Sequence, residues 1–305
     1  MVPRRRLGRA APGPERPARG PLRAAGTMAT LSVTPEPRVT FTTRYQDEHL
    51  LVVSKRAGLV TQPGIGHDTD TLLNGLFARF GARLQALGRA RDFGLLHRLD
   101  RDTSGLLIVG LSARAYDRLR DDFASRRIAK FYWAIAARAP RAPAGLIDKP
   151  IAETTPRPGA HGQIVEPKLA KVSSAGKGSA TAYRTLEASP MAALIEARPL
   201  TGRLHQVRVH MELIGCPILG DRHYAPPAIA RAAPRLALHA HRIAFVHPIT
   251  GLPVDTSSPF PRDLRSTLTR MGLHTPTAAQ SGPASAGRGM ADAPDDAEAG
   301  AQGDE

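Results

Sequence analysis

One charged segment contains the side chains best suited to chemistry. The apolar residues 106–110 follow it and predict a short buried strand. Two carboxylates and two guanidinium groups are costly to hold beside a core strand unless their charges pair. The segment therefore indicates either a salt-bridged turn, with Thr, Ser and Gly in turn positions, or a catalytic loop. Its residues are His97, Arg98, Leu99, Asp100, Arg101, Asp102, Thr103, Ser104 and Gly105.

Asp100 has a cation near it on each side in the sequence. Arg98 and Arg101 favour the ionised form of its carboxylate, and Arg203 is a candidate to reach it across the fold. An ionised carboxylate is suited to act as a nucleophile or to stabilise a cationic centre, and unsuited to general acid catalysis. Glycosidic chemistry uses such a group at a sugar carbon. For Asp102, surface pairing with Arg101 is the simpler interpretation.

A tyrosine follows on the second strand predicted after this loop. Ser112 is a plausible N-cap of a helix to about residue 125, and residues 128–136 then predict a strand that returns beside the first. Tyr132 lies in this strand. Its ring is suited to stacking on a base, and its hydroxyl is a weak acid or base.

A third polar block contains residues 201–211. Leu204, Val207, Met211 and Ile214 recur at helical spacing, and Gly215 is a good residue to follow the helix. Thr201 is a candidate cap, which would leave Gly202, Arg203 and the first backbone N–H groups as an anion site. Arg208 is either a second cation for the site or a buried structural partner.

An earlier helix is predicted from a cap between Asp68 and Thr71. Leu72, Leu73, Leu76 and Phe77 have helical spacing, and Phe80-Gly81 is expected to end the helix.

The 305-residue chain has a net charge of +15. Residues 1–37 form a basic head rich in Arg, Pro and Gly, and residues 271–305 form an acidic tail rich in Ala and Gly; we expect both to be disordered. Met28 is a candidate native start. The charges of the head and the tail nearly cancel, so the net positive charge of the chain belongs to residues 38–270. This favours a nucleic acid partner, against the simpler alternative of an Arg-rich protein without one.

Several other classes are disfavoured. No apolar run is long enough for a transmembrane helix, and one cysteine, Cys216, excludes an internal disulfide, which favours a cytoplasmic protein. A hydrolase built on His97, Ser104 and Asp100 lacks the Gly-x-Ser-x-Gly motif. His239 and His241 share a strand face, but no carboxylate or cysteine neighbour completes a metal site.

Three blocks together resemble the RluA-type pseudouridine synthases. The first is His97-Arg-Leu-Asp-x-x-Thr-Ser-Gly105, the second is Lys130-x-Tyr-x-Ala134, and the third is Thr201-Gly-Arg-x-His-Gln-x-Arg208, continued by Pro217 to Asp221. The resemblance covers residues 40–265 in collinear order. Arg56 departs from it, since proline is usual after the lysine there.

The resemblance implies one α+β domain on a mixed, mainly antiparallel sheet with flanking helices. The implied reaction detaches uracil from C1′ at N1, rotates it and rejoins it through C5. Asp100 would be the catalytic carboxylate, acting on the sugar, on the base or through a glycal. Tyr132 would stack on the base and help remove the C5 proton, and Arg203 would pair with Asp100. Arg98 would help place the flipped uridine, and the remaining substrate-binding candidates are His97, Thr103 and Arg208.

The resemblance also implies no cofactor, nucleotide or metal. The expected substrate is structured RNA, either large-subunit ribosomal RNA, transfer RNA or both, and the expected state is a monomer. Two rivals are a non-catalytic RNA-binding factor on the same fold and a nucleoside hydrolase, which would need an aspartate-rich metal site.

Overall fold

The computed structural model describes residues 31–155, 157–158, 164–166 and 168–276. A nine-stranded sheet runs in the order β1-β2-β3-β12-β4-β11-β10-β5, with β13 paired to β12. All its pairs are antiparallel except β3 with β12. The predicted α+β fold on a mixed, mainly antiparallel sheet is confirmed.

The elements in chain order are β1 (Thr42–Gln46), β2 (Leu50–Lys55), α1 (Leu72–Leu87), a 3₁₀ helix (Arg89–Gly94), β3 (Ser104–Gly110), α2 (Ala113–Ala124), β4 (Ala129–Ala136), β5 (Ala144–Asp148), β6 (Ile151–Glu153), β7 (Arg157–Pro158), β8 (Ile164–Glu166), β9 (Ala170–Val172), β10 (Ala180–Ala188), β11 (Ala193–Pro199), α3 (Gln206–Leu213), α4 (Pro227–Ala230), β12 (Leu238–Val246), β13 (Pro253–Ser257) and α5 (Arg262–Arg270). The short strands form two further ladders, β6 with β9 and β7 with β8.

The apolar run that follows the charged segment is β3, and all seven of its residues are buried. Alternate side chains of a strand point to opposite faces of a sheet. Leu107 and Val109 accordingly join the hydrophobic cluster that contains α1, whereas Leu106 and Ile108 join the cluster that contains Leu119 of α2. Both faces of β3 are therefore covered, and its start is held at a fixed position.

The parallel contact between β3 and β12 is short and requires a glycine. It pairs Ser104 with His239 and Gly105 with Ala240. Gly105 has φ +122°, and a Cβ atom there would lie 2.2 Å from the carbonyl oxygen of Ala240.

We therefore expect Gly105→Ala to lower the free energy of unfolding by at least about 3 kcal/mol, through backbone strain and overpacking. Urea unfolding measures this. Gly64→Ala is the matched control, because a Cβ at Gly64 meets no atom within 4 Å. Equal effects of the two substitutions would contradict the tight contact.

The folded domain extends beyond the predicted residues 38–270. Val33 is buried in the core, and Asn74 Nδ2 of α1 donates to the carbonyl of Thr34 at 2.8 Å. At the other end, Leu273 is buried and the His274 backbone N–H donates to Glu187. Parts of residues 31–37 and 271–274, which the sequence assigns to the head and the tail, therefore contact the domain. The predicted disorder of residues 1–30 and 277–305 falls outside the described residues.

Candidate active site

A cavity of about 840 Å³ opens where the three polar blocks meet; we call it the Asp100 cavity. Its walls come from the segment before β3, the start of β4 and the segment that leads into α3. All seven site residues predicted from the sequence line it, namely His97, Arg98, Asp100, Thr103, Tyr132, Arg203 and Arg208. Residues more than 100 positions apart in the chain are therefore brought into one site.

The loop that presents Asp100 is fixed from both sides. The backbone N–H of Thr103 donates to the Asp100 carbonyl at 3.2 Å, which closes a turn. Leu99 is buried, and Thr61 Oγ1 donates to its carbonyl at 2.8 Å. The Asp100 side chain itself remains 23% exposed toward the cavity. A rigid loop with an accessible carboxylate is the arrangement that a nucleophile requires.

Lys55 supports the same loop from beneath. It is 1% exposed, and Nζ donates to the carbonyl oxygens of Leu59 at 2.7 Å, Arg56 at 3.0 Å and Arg101 at 3.1 Å. Burial lowers the pKa of Lys55 to about 7, although the charge of Asp100 opposes this change. Lys55 therefore anchors the loop that carries Asp100 through backbone contacts.

The pKa of Lys55 makes a prediction about stability and pH. Above about pH 7 the folded protein binds fewer protons at Lys55 than the unfolded chain, so a rising pH stabilises the fold through this group. Lys55→Met lacks this contribution. We expect the advantage of the wild type over Lys55→Met in the free energy of unfolding to grow between about pH 7 and about pH 9, measured by urea unfolding. Lys149→Met, at an exposed position, should show a constant difference over the same range. A constant difference for Lys55→Met would contradict the prediction.

Arg208 is the cation that contacts Asp100. Its Nη1 lies 3.2 Å from Asp100 Oδ2, while Nε and Nη2 each donate to Asp221 at 2.8 Å. Arg208 and Asp221 are both buried. Burial alone would raise the pKa of Asp221, but the hydrogen bonds and charge of Arg208 hold it below its usual value. Arg208 is thus a buried partner of Asp221 and also contacts Asp100 in the cavity.

The assignment of Arg203 as the partner of Asp100 is corrected. Arg203 lines the Asp100 cavity, but its Nε donates to the Gly178 carbonyl at 3.2 Å. The reason is where the helix begins: α3 starts at Gln206, and Arg203 lies before it in a turn. Thr201 does not cap the helix; its hydroxyl donates to Gln206 Oε1, which also accepts the backbone N–H of Arg203.

Tyr132 approaches the same carboxylate from β4. It is 9% exposed, and burial together with the charge of Asp100 raises the pKa of its hydroxyl. The tyrosine is therefore a protonated phenol at neutral pH. The sequence predicts that β4 lies directly beside β3. In the structure β12 is inserted between the two strands and pairs its Ala240 with Tyr132.

His97 fixes the start of the loop that carries Asp100. Its Nε2 accepts the backbone N–H of Ile108 at 3.0 Å, and its ring lies 4.9 Å from that of Phe123. Burial, and to a smaller extent the charge of Lys130, lowers the pKa of His97 to about 3. A neutral imidazole bonded to the backbone positions the loop. Thr103 differs, because its buried Oγ1 has no hydrogen-bond partner among the described residues.

Two site residues were missed by sequence reasoning. His205 Nε2 lies 3.8 Å from Asp100 Oδ2, and His205 Nδ1 lies 2.7 Å from Tyr224 Oη. Tyr224 Oη also accepts the backbone N–H of Ala170, and the Arg208 guanidinium lies 4.9 Å from the Tyr224 ring. Burial lowers the pKa of His205 to about 4, so the ring is neutral. The sequence offered two signals for these residues. His205 lies in the third block, and Tyr224 follows Asp221 by three residues.

The sequence shows no carboxylate neighbour for His241, but the structure does. Glu196 Oε1 of β11 lies 3.1 Å from His241 Nε2, so this histidine has a carboxylate neighbour that is distant in sequence. No group of three potential metal ligands is found within the described ranges. No helix in these ranges is long and apolar enough to cross a membrane.

Comparisons with known proteins point to one family. The family model for RNA pseudouridylate synthase matches residues 49–213. Ribosomal large subunit pseudouridine synthase D of Zymomonas mobilis is 39% identical over 229 residues, covering 72% of this chain and 69% of that protein. The protein of the same name from Pseudomonas aeruginosa is 37% identical over 231 residues, covering 72% and 68%.

A solved structure gives the same result. Human RNA pseudouridylate synthase domain containing 4 matches with a TM-score of 0.59 and 26% identity, covering 77% of this chain and 94% of that one. The sheet, the cavity and these matches define an isomerase that acts on RNA. The chain belongs to the RNA pseudouridylate synthase family, and the predicted relation to its RluA type is confirmed.

Proposed function

We propose that the protein converts specific uridines of large-subunit ribosomal RNA to pseudouridine, with Asp100 as the catalytic carboxylate. The observation that carries this proposal is the placement of Asp100, Arg208 and Tyr132 in one cavity. The names of the bacterial relatives support the ribosomal substrate. Transfer RNA is the alternative substrate.

The target base must leave the RNA stack before this carboxylate can reach it, at a cost of a few kcal/mol. Arg98 is exposed at the cavity wall and is the candidate to occupy or guide the vacated space. Phosphate contacts with basic side chains offset the cost. Lys130 and Arg203, which also line the cavity, are candidates for these contacts.

Asp100 then acts while ionised. Arg208 Nη1 donates to it and the fixed loop holds it toward the bound nucleotide. Attack on C1′ forms a bond to the sugar as the C1′–N1 bond breaks, and this new bond is broken when C5 is joined to C1′. Attack on the base forms a covalent bond to the ring that is later broken, and a glycal route uses the carboxylate as a base while the C1′–N1 bond breaks. Each route needs the negative charge that Arg208 stabilises. Tyr132 offers its ring to the base, and its protonated phenol can act near C5 as a relay that takes up one proton while it passes on its own.

The deciding experiment maps pseudouridines in total RNA with and without the gene. We expect one or more positions of large-subunit ribosomal RNA to lose the modification and to regain it on complementation with the wild type, but not with Asp100→Asn. Loss confined to transfer RNA would move the substrate there. An unchanged map would contradict the proposed function.

Tyr132→Phe tests the second residue. The substitution keeps the ring for stacking and removes the hydroxyl, so RNA affinity should stay nearly constant while turnover falls about 100-fold or more, the scale of a lost acid–base group. Single-turnover kinetics and RNA binding measure the two effects. Tyr183→Phe, in β10, is the matched control and should retain activity. Unchanged turnover for Tyr132→Phe would restrict Tyr132 to stacking.

A further inference from the structure

A second cavity shares no lining residue with the Asp100 cavity. It has a volume of about 600 Å³, and we call it the His239 cavity. Leu238 of β12 lines the Asp100 cavity, and the next residue, His239, lines this one. Because successive residues of a strand point to opposite faces, these two side chains point away from each other and into different cavities.

The charge of the His239 cavity is strongly positive. Asp263 is the one carboxylate among its lining residues, and Arg235 pairs with it, with Nη2 3.0 Å from Oδ1. Four other arginines line the cavity and are exposed: Arg44, Arg56, Arg262 and Arg265. None of these four forms an ion pair with a carboxylate in the part of the chain that the structure describes. Such guanidinium groups match the oxygens of a phosphate.

The first turn of α5 faces the same space. Pro261, Arg262, Asp263 and Arg265 line the cavity, at the N-terminal end of a nine-residue helix. The backbone N–H of Leu264 donates to the Pro261 carbonyl, and that of Asp263 donates to its own carboxylate. The helix dipole and the N–H of Arg262 are therefore what this end offers an anion.

An independent observation comes from the buried lining of the cavity. His239 is 3% exposed, its Nδ1 lies 2.9 Å from Ser104 Oγ, and its Nε2 has no hydrogen-bond partner among the described residues. Buried polar atoms are normally paired, so an unpaired one that lines a cavity points to a ligand. Burial lowers the pKa of His239 to about 3, so the ring is neutral and its Nε2 can carry the hydrogen that a phosphate oxygen accepts.

We propose that the His239 cavity binds a phosphate group, held by Arg262, Arg265 and the start of α5 and contacted by His239. The phosphate belongs either to the RNA backbone or to a free phosphate or nucleotide. The RNA source rests on the proposed function, whereas phosphate binding itself does not.

The site adjoins the catalytic loop. Lys55, which donates to the Arg101 carbonyl, and Ser104, which begins β3 and bonds His239, both line the His239 cavity. A phosphate bound there lies beside two residues that support the Asp100 loop, outside the cavity that contains Asp100.

The test uses inorganic phosphate and the full chain. The imidazole NMR signal of His239, assigned by its loss in His239→Gln, should shift and saturate as phosphate is added. In Arg262→Gln/Arg265→Gln the half-maximal shift of this signal should need at least about 10-fold more phosphate. Arg138→Gln/Arg141→Gln removes two exposed charges that line neither cavity, and it should respond as the wild type does.

A second arm identifies the source of the phosphate. Binding of a short oligocytidylate, which contains no uridine to isomerise, is measured against salt. If RNA supplies the phosphate, the salt dependence of its affinity should fall by roughly one in logarithmic slope in Arg262→Gln/Arg265→Gln. If Arg262→Gln/Arg265→Gln loses the response of the His239 signal to phosphate but keeps the salt dependence of oligocytidylate binding, the site binds a free phosphate or nucleotide. The proposal is overturned if the wild-type His239 signal responds to neither ligand, or if the two double variants respond alike. Neither arm requires turnover, so a failed pseudouridine assay leaves this test intact.

Discussion

Asp100→Asn should reduce pseudouridine formation in vitro by at least about 1,000-fold while RNA affinity changes little. The amide keeps the size of the side chain and a hydrogen-bond acceptor for Arg208, but it lacks the negative charge on which every route through this residue depends. The two measurements are single-turnover product formation and RNA binding by the same preparation.

Asp102→Asn is the matched control. Asp102 is exposed two residues further along the same loop and does not line the Asp100 cavity. It should keep most of the activity. Equal losses in the two variants would mean that the wrong carboxylate has been assigned to catalysis.

Asp221→Asn should cost about 3 kcal/mol of the free energy of unfolding and also lower activity. Asp221 is 1% exposed and accepts two hydrogen bonds from Arg208, so its loss leaves a buried guanidinium with Asp100 as its remaining ion partner among the described residues. Removing one partner of a buried pair is far more costly than the net contribution of the pair suggests. Urea unfolding at neutral pH measures the change, and turnover shows whether Asp100 is still held correctly.

The pH dependence gives this prediction a second readout. Because the pKa of Asp221 is depressed in the fold, its contribution is complete above about pH 4 and is lost at lower pH. The difference in stability between wild type and Asp221→Asn should therefore shrink in acid.

Asp117→Asn provides the comparison at the surface. Asp117 also accepts two hydrogen bonds from one arginine, Arg91, but the two side chains are 41% and 34% exposed. Solvent screening should keep its cost below about 1 kcal/mol. Similar costs at Asp117 and Asp221 would contradict the importance of burial.

The parts of the fold that were predictable from the sequence depend on local signals. The buried run of β3 and the start of α2 are of this kind, and Ser112 Oγ does accept the backbone N–H of Ala115. Phe80-Gly81 was a weaker signal. It bends α1 at Phe80 instead of ending it, because Leu84 and Leu87 continue the buried face of the helix.

The ion pair of the site was less predictable for a physical reason. Arg203 and Arg208 lie in the same block, and which of them reaches Asp100 depends on where α3 begins. That start is set by Gln206, whose side chain bonds to Thr181 and to the carbonyl of Ala180 on a strand distant in sequence. Long-range contacts of this kind leave no periodic pattern in the sequence.

The position of β12 at the centre of the sheet has a consequence for synthesis of the protein. The strand that carries Tyr132 pairs with β12, and β12 pairs with the strand that follows Asp100, so a chain that ends before residue 238 lacks the link between the two halves of the site. Asp100, Tyr132 and Arg208 are all translated before this link exists. A nascent chain therefore cannot assemble the site until β12 has been synthesised and has left the ribosome.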